Sequence, residues 1–250
     1  MQEERKMALF FDFENIVIGI EEAKHGKFEL GLTLQRLLEK GKILYKRAYA
    51  NWDRYSKYRR LFHDASIELF DIPKSTQSGK NAADIQMVVD ALELSYSKEH
   101  IDVFVLASGD SDFSPLVSKL RENDKYVIGF GVKNSVSQLL VSNCDEFIYY
   151  EDIVRPRRTK KVRKRGLSAK KQELYDLLME SCAALMRENY DVIWGSMVKQ
   201  TMKRKMPSFD EHYYGFSMFS DVLKDAAQSG LIEVEKDQRS GTLIVTNMKE

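Results

Sequence analysis

Residues 102–113 read DVFVLASGDSDF, and residues 7–15 read MALFFDFEN. Each is a short unbroken apolar run that stops at carboxylates. A run of that length without polar alternation is what a strand buried on both faces of a parallel sheet requires. Four further runs have the same character: KILYKRAYA at 42–50, SIELFDI at 66–72, KYVIGF at 125–130 and DEFIYY at 145–150. Helical patterns lie between them at about 32–40, 53–64, 81–98, 113–123 and 134–142, with no helix predicted between 13 and 32. In the stretch 81–98, Ala83, Met87, Ala91 and Leu94 recur at the spacing of one buried helix face, and Val88 and Leu92 widen it. Strands alternating with helices predict an α/β fold, a parallel sheet flanked by helices.

The alternation stops near residue 152. Arg155 to Arg165, RPRRTKKVRKR, holds eight basic residues and no acidic one; removing them from the net charge of +1 leaves the rest of the chain at −7. From 168 the pattern is helical. A first helix at about 168–188 carries Leu174, Leu177, Leu178, Leu185 and Met186 as its stripe; a second follows at about 193–203 and a third at about 213–229, ending at Gly230. LIEVE (231–235) and TLIVT (242–246) flank a turn containing Ser240-Gly241, which predicts a hairpin. Three helices and a terminal hairpin make a small winged helix-turn-helix domain. The expected organisation is an α/β domain at 1–152, a basic linker at 153–166 and a winged helix at 167–250.

Composition narrows the classes. With 43% hydrophobic and 31% charged residues over 250 positions, the chain resembles a soluble globular protein of one or two domains. No apolar run reaches the roughly 18 residues a membrane span needs, so no membrane partner is expected. The charged start Met1-Gln-Glu-Glu-Arg-Lys is no signal peptide. Cys144 and Cys182 are too few for a disulfide framework, which points to a reducing, cytoplasmic compartment.

Open α/β sheets bind ligands beyond the carboxyl ends of their strands. Asp12, Glu14 and Asn15 follow the first strand, Ser108, Asp110 and Asp112 follow the strand 102–107, and Asp84 sits early on the helix after 66–72. If the two strands are neighbours, these acids face one crevice. Such a set repels itself unless a cation offsets it, and ligation by oxygen alone suits Mg²⁺ or Mn²⁺. Each acid also has a plain structural reading: Asp12 as a strand terminator, Asp110 and Asp112 as turn and cap residues, Asp84 as a first-turn acid complementing the helix dipole. Asp90, six residues beyond Asp84 and about 240° around the helix, cannot share its face and reads as structural. Glu14 points away from Asp12 if the strand continues through it.

At these residues the chain resembles the NYN domain, a PIN-like nuclease family that includes LabA-type proteins. FFDFEN (10–15), KNAADIQMVVDAL (80–92) and LASGDSDFSPLVSKLRENDKYVIGFG (106–131) are similar to its three motifs, in order. The resemblance covers roughly residues 6–150. It implies a PIN-like fold, a divalent metal held by Asp12, Asp84 and Asp110 with Asp112 beside them as catalytic carboxylates, and endonucleolytic hydrolysis of RNA leaving 5′-phosphate and 3′-hydroxyl ends. Asn123-Asp124 departs from the family, which usually has Gly at this turn. The stretch 167–248 is similar to an OST-HTH/LOTUS domain, a winged-helix module associated with RNA, through Trp194-Gly-Ser-Met-Val-Lys-Gln and Tyr214-Gly-Phe-Ser-Met-Phe. RNA is therefore the expected partner, and pairing of two copies into a homodimer is compatible with the family.

Asn15, Lys74, Lys80, Ser108 and Lys199 are the expected substrate contacts: Lys74 and Lys80 border the polar loop KSTQSGK, and Lys199 leads the basic end Lys203-Arg204-Lys205. Arg47, Arg54, Lys57, Arg59 and Arg60, interleaved with Tyr45, Tyr49, Trp52, Tyr55 and Tyr58, form a second basic stretch that is either an RNA face or a solvated helix with core rings. Two other function classes remain. One is an RNA-binding regulator on the same scaffold that does not cut. The other, a haloacid-dehalogenase-type phosphatase, wants Asp where Glu14 stands. Nucleotide-binding folds lack their glycine signatures here.

Overall fold

The computed structural model describes residues 4–71, 79–154, 168–188 and 190–249, with only the backbone of 79–81. The chain divides into two compact units, one carrying the N-terminal sheet and the other the C-terminal helices.

In the N-terminal unit the strands are β1 (Lys6–Asp12), β2 (Lys42–Ala50), β3 (Glu68–Asp71), β4 (Val103–Ala107), β5 (Tyr126–Gly131) and β6 (Glu146–Tyr149). They form one sheet in the order β3-β2-β1-β4-β5-β6, every pairing parallel. β1 is central because its side chains are apolar in both directions. Met7, Leu9 and Phe11 enter one core with Val103, Val105, Ile128 and Phe130, whereas Ala8 and Phe10 enter the other with Phe104, Leu106 and Val127. Successive strand residues face opposite sides, so a run without polar alternation needs two covering layers.

Helices provide them. α1 (Phe13–Glu22), α2 (Leu30–Leu38) and α3 (Ser56–Asp64) cover the first face through Phe13, Ile16, Val17, Ile20, Leu30, Leu37, Tyr58 and Phe62, joined by Tyr150 from the short α7 (Tyr150–Val154). α4 (Gly79–Ser97), α5 (Ser114–Glu122) and α6 (Gln138–Asn143) cover the second through Met87, Ala91, Leu116, Val117, Leu120 and Leu140. The face read from 81–98 is the buried one: Met87 and Ala91 are inaccessible, and Ala83, Val88, Leu92 and Leu94 pack around them.

α1 is the main departure from expectation. Phe13-Glu-Asn-Ile-Val-Ile is rich in β-branched residues and extends an apolar strand, so local preference favours β. The tertiary pattern overrides it. Phe13, Ile16, Val17 and Ile20 are buried at helical spacing, and the Asp12 carboxylate caps the helix by accepting the Asn15 N–H at 3.3 Å. The strand does not continue through Glu14; its carboxylate accepts the backbone N–H of Asn51 at 2.9 Å and ties α1 to the end of β2.

The C-terminal unit contains α8 (Ala169–Arg187), β7 (Ile193–Trp194), α9 (Gly195–Lys205), α10 (Phe219–Gln228), β8 (Ile232–Lys236) and β9 (Leu243–Met248). The predicted hairpin is present, and β7 joins it to make an antiparallel sheet in the order β7-β9-β8. Leu174, Leu178, Cys182, Val198, Met202, Val222, Leu223 and Val245 form its core, and Gly230 ends α10 with φ of 68°, where a side chain would be strained. The third helix begins at 219 rather than 213, because 211–214 form a tighter 3₁₀ turn.

Phe13 stacks on Trp52 at 5.4 Å and meets Phe62 edge-on at 4.8 Å, Tyr58 at 5.0 Å and Tyr55 at 5.5 Å. Its truncation leaves a large cavity beside Asp12. Phe13→Ala should cost about 3–5 kcal/mol of unfolding free energy in urea titration; a loss below about 1 kcal/mol would mean that this cluster does not anchor α1.

Candidate active site

The strand order reverses between β1 and β4, and such a switch point opens a crevice at the carboxyl ends of the two strands. Phe11 pairs with Ala107, which brings Asp12 level with Ser108. Ser108 is completely buried. Its hydroxyl donates to Asp12 Oδ2 at 2.8 Å and accepts the N–H of Asp110 at 3.2 Å, so one oxygen links both acid-bearing loops. Asp110 Oδ1 accepts the Asp112 N–H at 3.0 Å and caps the 3₁₀ turn Ser111–Phe113.

A second link runs in parallel. Asn15 Oδ1 accepts the N–H of Gly109 at 2.7 Å, while the Gly109 carbonyl accepts the N–H of Ser137 at 2.8 Å. A Cβ on Gly109 would stand 2.8 Å from the Ser135 carbonyl oxygen and 3.0 Å from the Val136 Cα. Backbone on that side cannot yield cheaply, so close approach is what requires glycine at this position.

The electrostatics couple Asp12 to two of the other acids. Burial pushes the Asp12 carboxyl up to about 7; the Ser108 hydroxyl and the Asn15 N–H oppose that rise, and the charges of Asp84 and Asp110 add to it. Acids from three distant parts of the chain thus act on one another. Asp84 is half-buried on α4. Among the described residues, no three His, Cys, Asp or Glu side chains stand close enough together to hold a metal ion as they are. Carboxylates with no counter-ion between them repel, and Mg²⁺ commonly takes only one or two carboxylates with water and phosphate completing its shell. The donor set is all oxygen, carboxylates around a buried acid, and its chemistry fits a hard divalent cation.

Other expected residues fall elsewhere. Asp112 is exposed and lines a shallow depression with Ser111, Ser114, Pro115, Ser118 and Leu139. Ser108, expected at the substrate, is instead buried with its hydroxyl engaged by Asp12 and Asp110. Asn15 commits its carboxamide oxygen to Gly109, which leaves its NH₂ for a ligand. Lys74 lies outside the described residues, as does the side chain of Lys80. Lys199 is an ion-pair partner of Glu211, so its ammonium is spent within the C-terminal unit.

Asp90 is structural, as its position on the helix requires. It accepts hydrogen bonds from Arg47 (2.6 Å), Tyr49 (2.6 Å) and Gln86 (2.8 Å). Burial would raise its pKa, but those three donors outweigh it and hold the carboxyl below its usual value. The same contacts withdraw Arg47 from the aromatic-basic stretch, and Arg59 pairs with Asp71 at 2.8 Å. Tyr49, Trp52, Tyr55 and Tyr58 are core residues, each under one-tenth exposed. What sequence reading missed at the site is the serine–carboxylate bridge and the Asn15–Gly109 clasp. The adjacency of Ser108 to Gly109-Asp110 was the available signal, but only strand register shows which loop it reaches.

Comparison with known proteins bears on the fold and the family. An uncharacterized protein of Methanocaldococcus jannaschii is 29% identical over 145 residues, a match that covers 58% of this chain and 55% of that protein, so the chain spans about half the length of its curated relative. A crystal structure of a Vibrio parahaemolyticus protein of unknown function shares the fold, with a TM-score of 0.54 at 24% identity, over 61% of this chain and 96% of that one. Residues 166–244 match the OST-HTH/LOTUS domain, an RNA-binding module. Residues 6–151 match the NYN domain, and with more than half of its length so matched the chain belongs to the NYN domain family of the PIN-like nuclease superfamily.

Proposed function

We propose that this protein is a divalent-metal-dependent endoribonuclease whose C-terminal winged helix helps to hold the RNA. The observation that carries the reading is the buried Asp12 carboxyl, pushed up to about 7 with Asp84 and Asp110 pressing on it. A fold that wanted only a helix cap at Asp12 would not surround it with further negative charge, because burying an uncompensated carboxylate is costly.

Asp12, Asp84 and Asp110 are the residues that would hold Mg²⁺ or Mn²⁺. When bound, such an ion supplies Lewis-acid stabilisation of a phosphate oxygen and a water of lowered pKa. The protein's own share is positional. Ser108 aims Asp12 by fixing one carboxylate oxygen, and the Asn15–Gly109 clasp holds the two loops at constant separation. The NH₂ of Asn15 lies beside this crevice as a donor for a phosphate oxygen or a water. Asp112, exposed at the mouth of the 3₁₀ turn, would act at longer range. The two domain matches support RNA as the substrate, and the two free cysteines support a cytoplasmic setting. No described helix is long and apolar enough to cross a membrane.

Asp12→Asn and Asp110→Asn, each nearly isosteric, should lower cleavage of labelled single-stranded RNA in Mg²⁺ or Mn²⁺ by at least about a hundredfold while circular dichroism stays native; EDTA should abolish wild-type cleavage. Full activity in both variants would reject the site. RNA binding with no cleavage under any metal would favour the regulatory alternative. Gly109→Ala should reduce both cleavage and stability, the latter by about 1–3 kcal/mol, since the added methyl meets backbone.

The ionisation of Asp12 also predicts a stability profile. Its folded pKa lies above the ordinary 3.8, so between about pH 4 and pH 7 the folded state holds a proton that the unfolded chain releases. Stability should therefore fall as pH rises through that window and level off above it. Without metal at pH 8, Asp12→Asn should be more stable than the wild type by about 2–4 kcal/mol, a gap closing toward pH 4. Mn²⁺ should raise the wild-type melting temperature, less so below pH 7, and leave the variant unchanged. Melting curves that are parallel across pH for the two proteins would contradict this assignment.

A further inference from the structure

In the C-terminal unit several lysines are already paired. Lys199 pairs with Glu211, Lys171 with Asp225 and Lys224 with Asp221. Lys170, in the first turn of α8, differs: among the described residues it makes no ion pair, and its ammonium lies 3.7 Å from the centroid of the Tyr213 ring. Tyr213 is itself 62% exposed. Many of the aromatic rings in the chain are buried in its cores, whereas the Tyr213 ring stands in solvent beside a cation.

The ring is exposed but not loose. Tyr214 meets it edge-on at 5.0 Å and 86°, and Tyr214 in turn stacks on the buried Phe209 at 5.9 Å. The Tyr213 N–H donates to the Asp210 carbonyl within the 3₁₀ turn. Backbone, neighbouring ring and cation therefore fix the orientation of Tyr213 before any ligand arrives. A rigid, largely exposed aromatic ring beside an ammonium that no described carboxylate pairs has the two features that a nucleotide asks for: a ring surface for a base and a cation for its phosphate. In sequence, Lys170 follows the eight basic residues of 155–165 within five positions, which favours a polyanion over an acidic-neutral protein surface.

We propose that Tyr213 and Lys170 form a base-stacking platform for single-stranded RNA on the winged-helix domain. This rests on the RNA reading of the protein given above and adds to it where the strand is held away from the carboxylates. Stacking carries the affinity, so the platform tolerates different bases. Lys170 contributes one phosphate contact, and Lys199, engaged with Glu211, contributes none.

The test is fluorescence anisotropy of the full chain with a labelled mixed-sequence single-stranded RNA, in EDTA so that no cleavage occurs. Tyr213→Ala should weaken binding by about five- to tenfold, with the melting temperature unchanged because the side chain is exposed. Tyr213→Trp should restore wild-type affinity. Lys170→Ala should reduce the slope of log affinity against log salt by roughly one contact. Binding within twofold of wild type in Tyr213→Ala overturns the proposal and assigns the platform to a protein partner. A Tyr213→Trp loss as large as that of Tyr213→Ala overturns stacking. A wild-type chain that binds no RNA in EDTA overturns the platform too, whereas intact RNA binding with no cleavage in any metal removes only the nuclease reading.

Discussion

A carboxylate buried at the end of the central strand, with a serine hydroxyl to orient it and two further carboxylates raising its proton affinity, is the constraint on which the N-terminal unit depends. Asp12 is at once the last residue of β1, the cap of α1 and the acid on which Asp84 and Asp110 act. Those roles require that β1 and β4 be neighbours, that both run in the same direction, and that the loops leaving them turn toward each other. The parallel sheet with its order reversed at β1 and β4 satisfies all three conditions.

A buried carboxylate of this kind is costly to fold, and the surrounding packing offsets the cost. Phe13, immediately after Asp12, is enclosed by Trp52, Tyr55, Tyr58 and Phe62. The aromatic side chains that a composition-based reading could assign to RNA are the weight holding α1, and therefore the acid, in position. Burial of large rings at native packing density is the strongest local stabilisation available to the fold, and here it sits next to the least favourable charge. Strain of this kind at one site, with compensation beside it, is expected where a protein is built to receive a ligand.

In the winged helix Lys171, Lys199 and Lys224 are each matched by a carboxylate. A count of basic residues therefore overstates the surface open to phosphate. Tyr175, whose hydroxyl donates to Asp225 while Lys171 approaches the same carboxylate, shows how α8 and α10 are fastened by groups that would otherwise attract RNA. Recognition then falls to the few residues that packing leaves exposed and oriented.

Much was legible from residues alone. The unbroken apolar runs dictated a doubly covered parallel sheet, since side chains alternate across a strand and both faces must leave water. The helical spacing of Met87 and Ala91 fixed the buried face of α4, and the angular offset of Asp90 removed it from the acid cluster. The family motifs ordered Asp12, Asp84 and Asp110. Tertiary structure alone decided that Phe13–Glu22 is a helix despite its β-branched residues, because burial of one face outweighs local preference. It alone decided, too, that Ser108 serves Asp12, that Asn15 spends its oxygen on Gly109, and that Arg47 and Lys199 are engaged elsewhere. Sequence specifies the donors and acceptors that exist; which of them remain free depends on strand register and close packing, which bring together residues nearly a hundred positions apart.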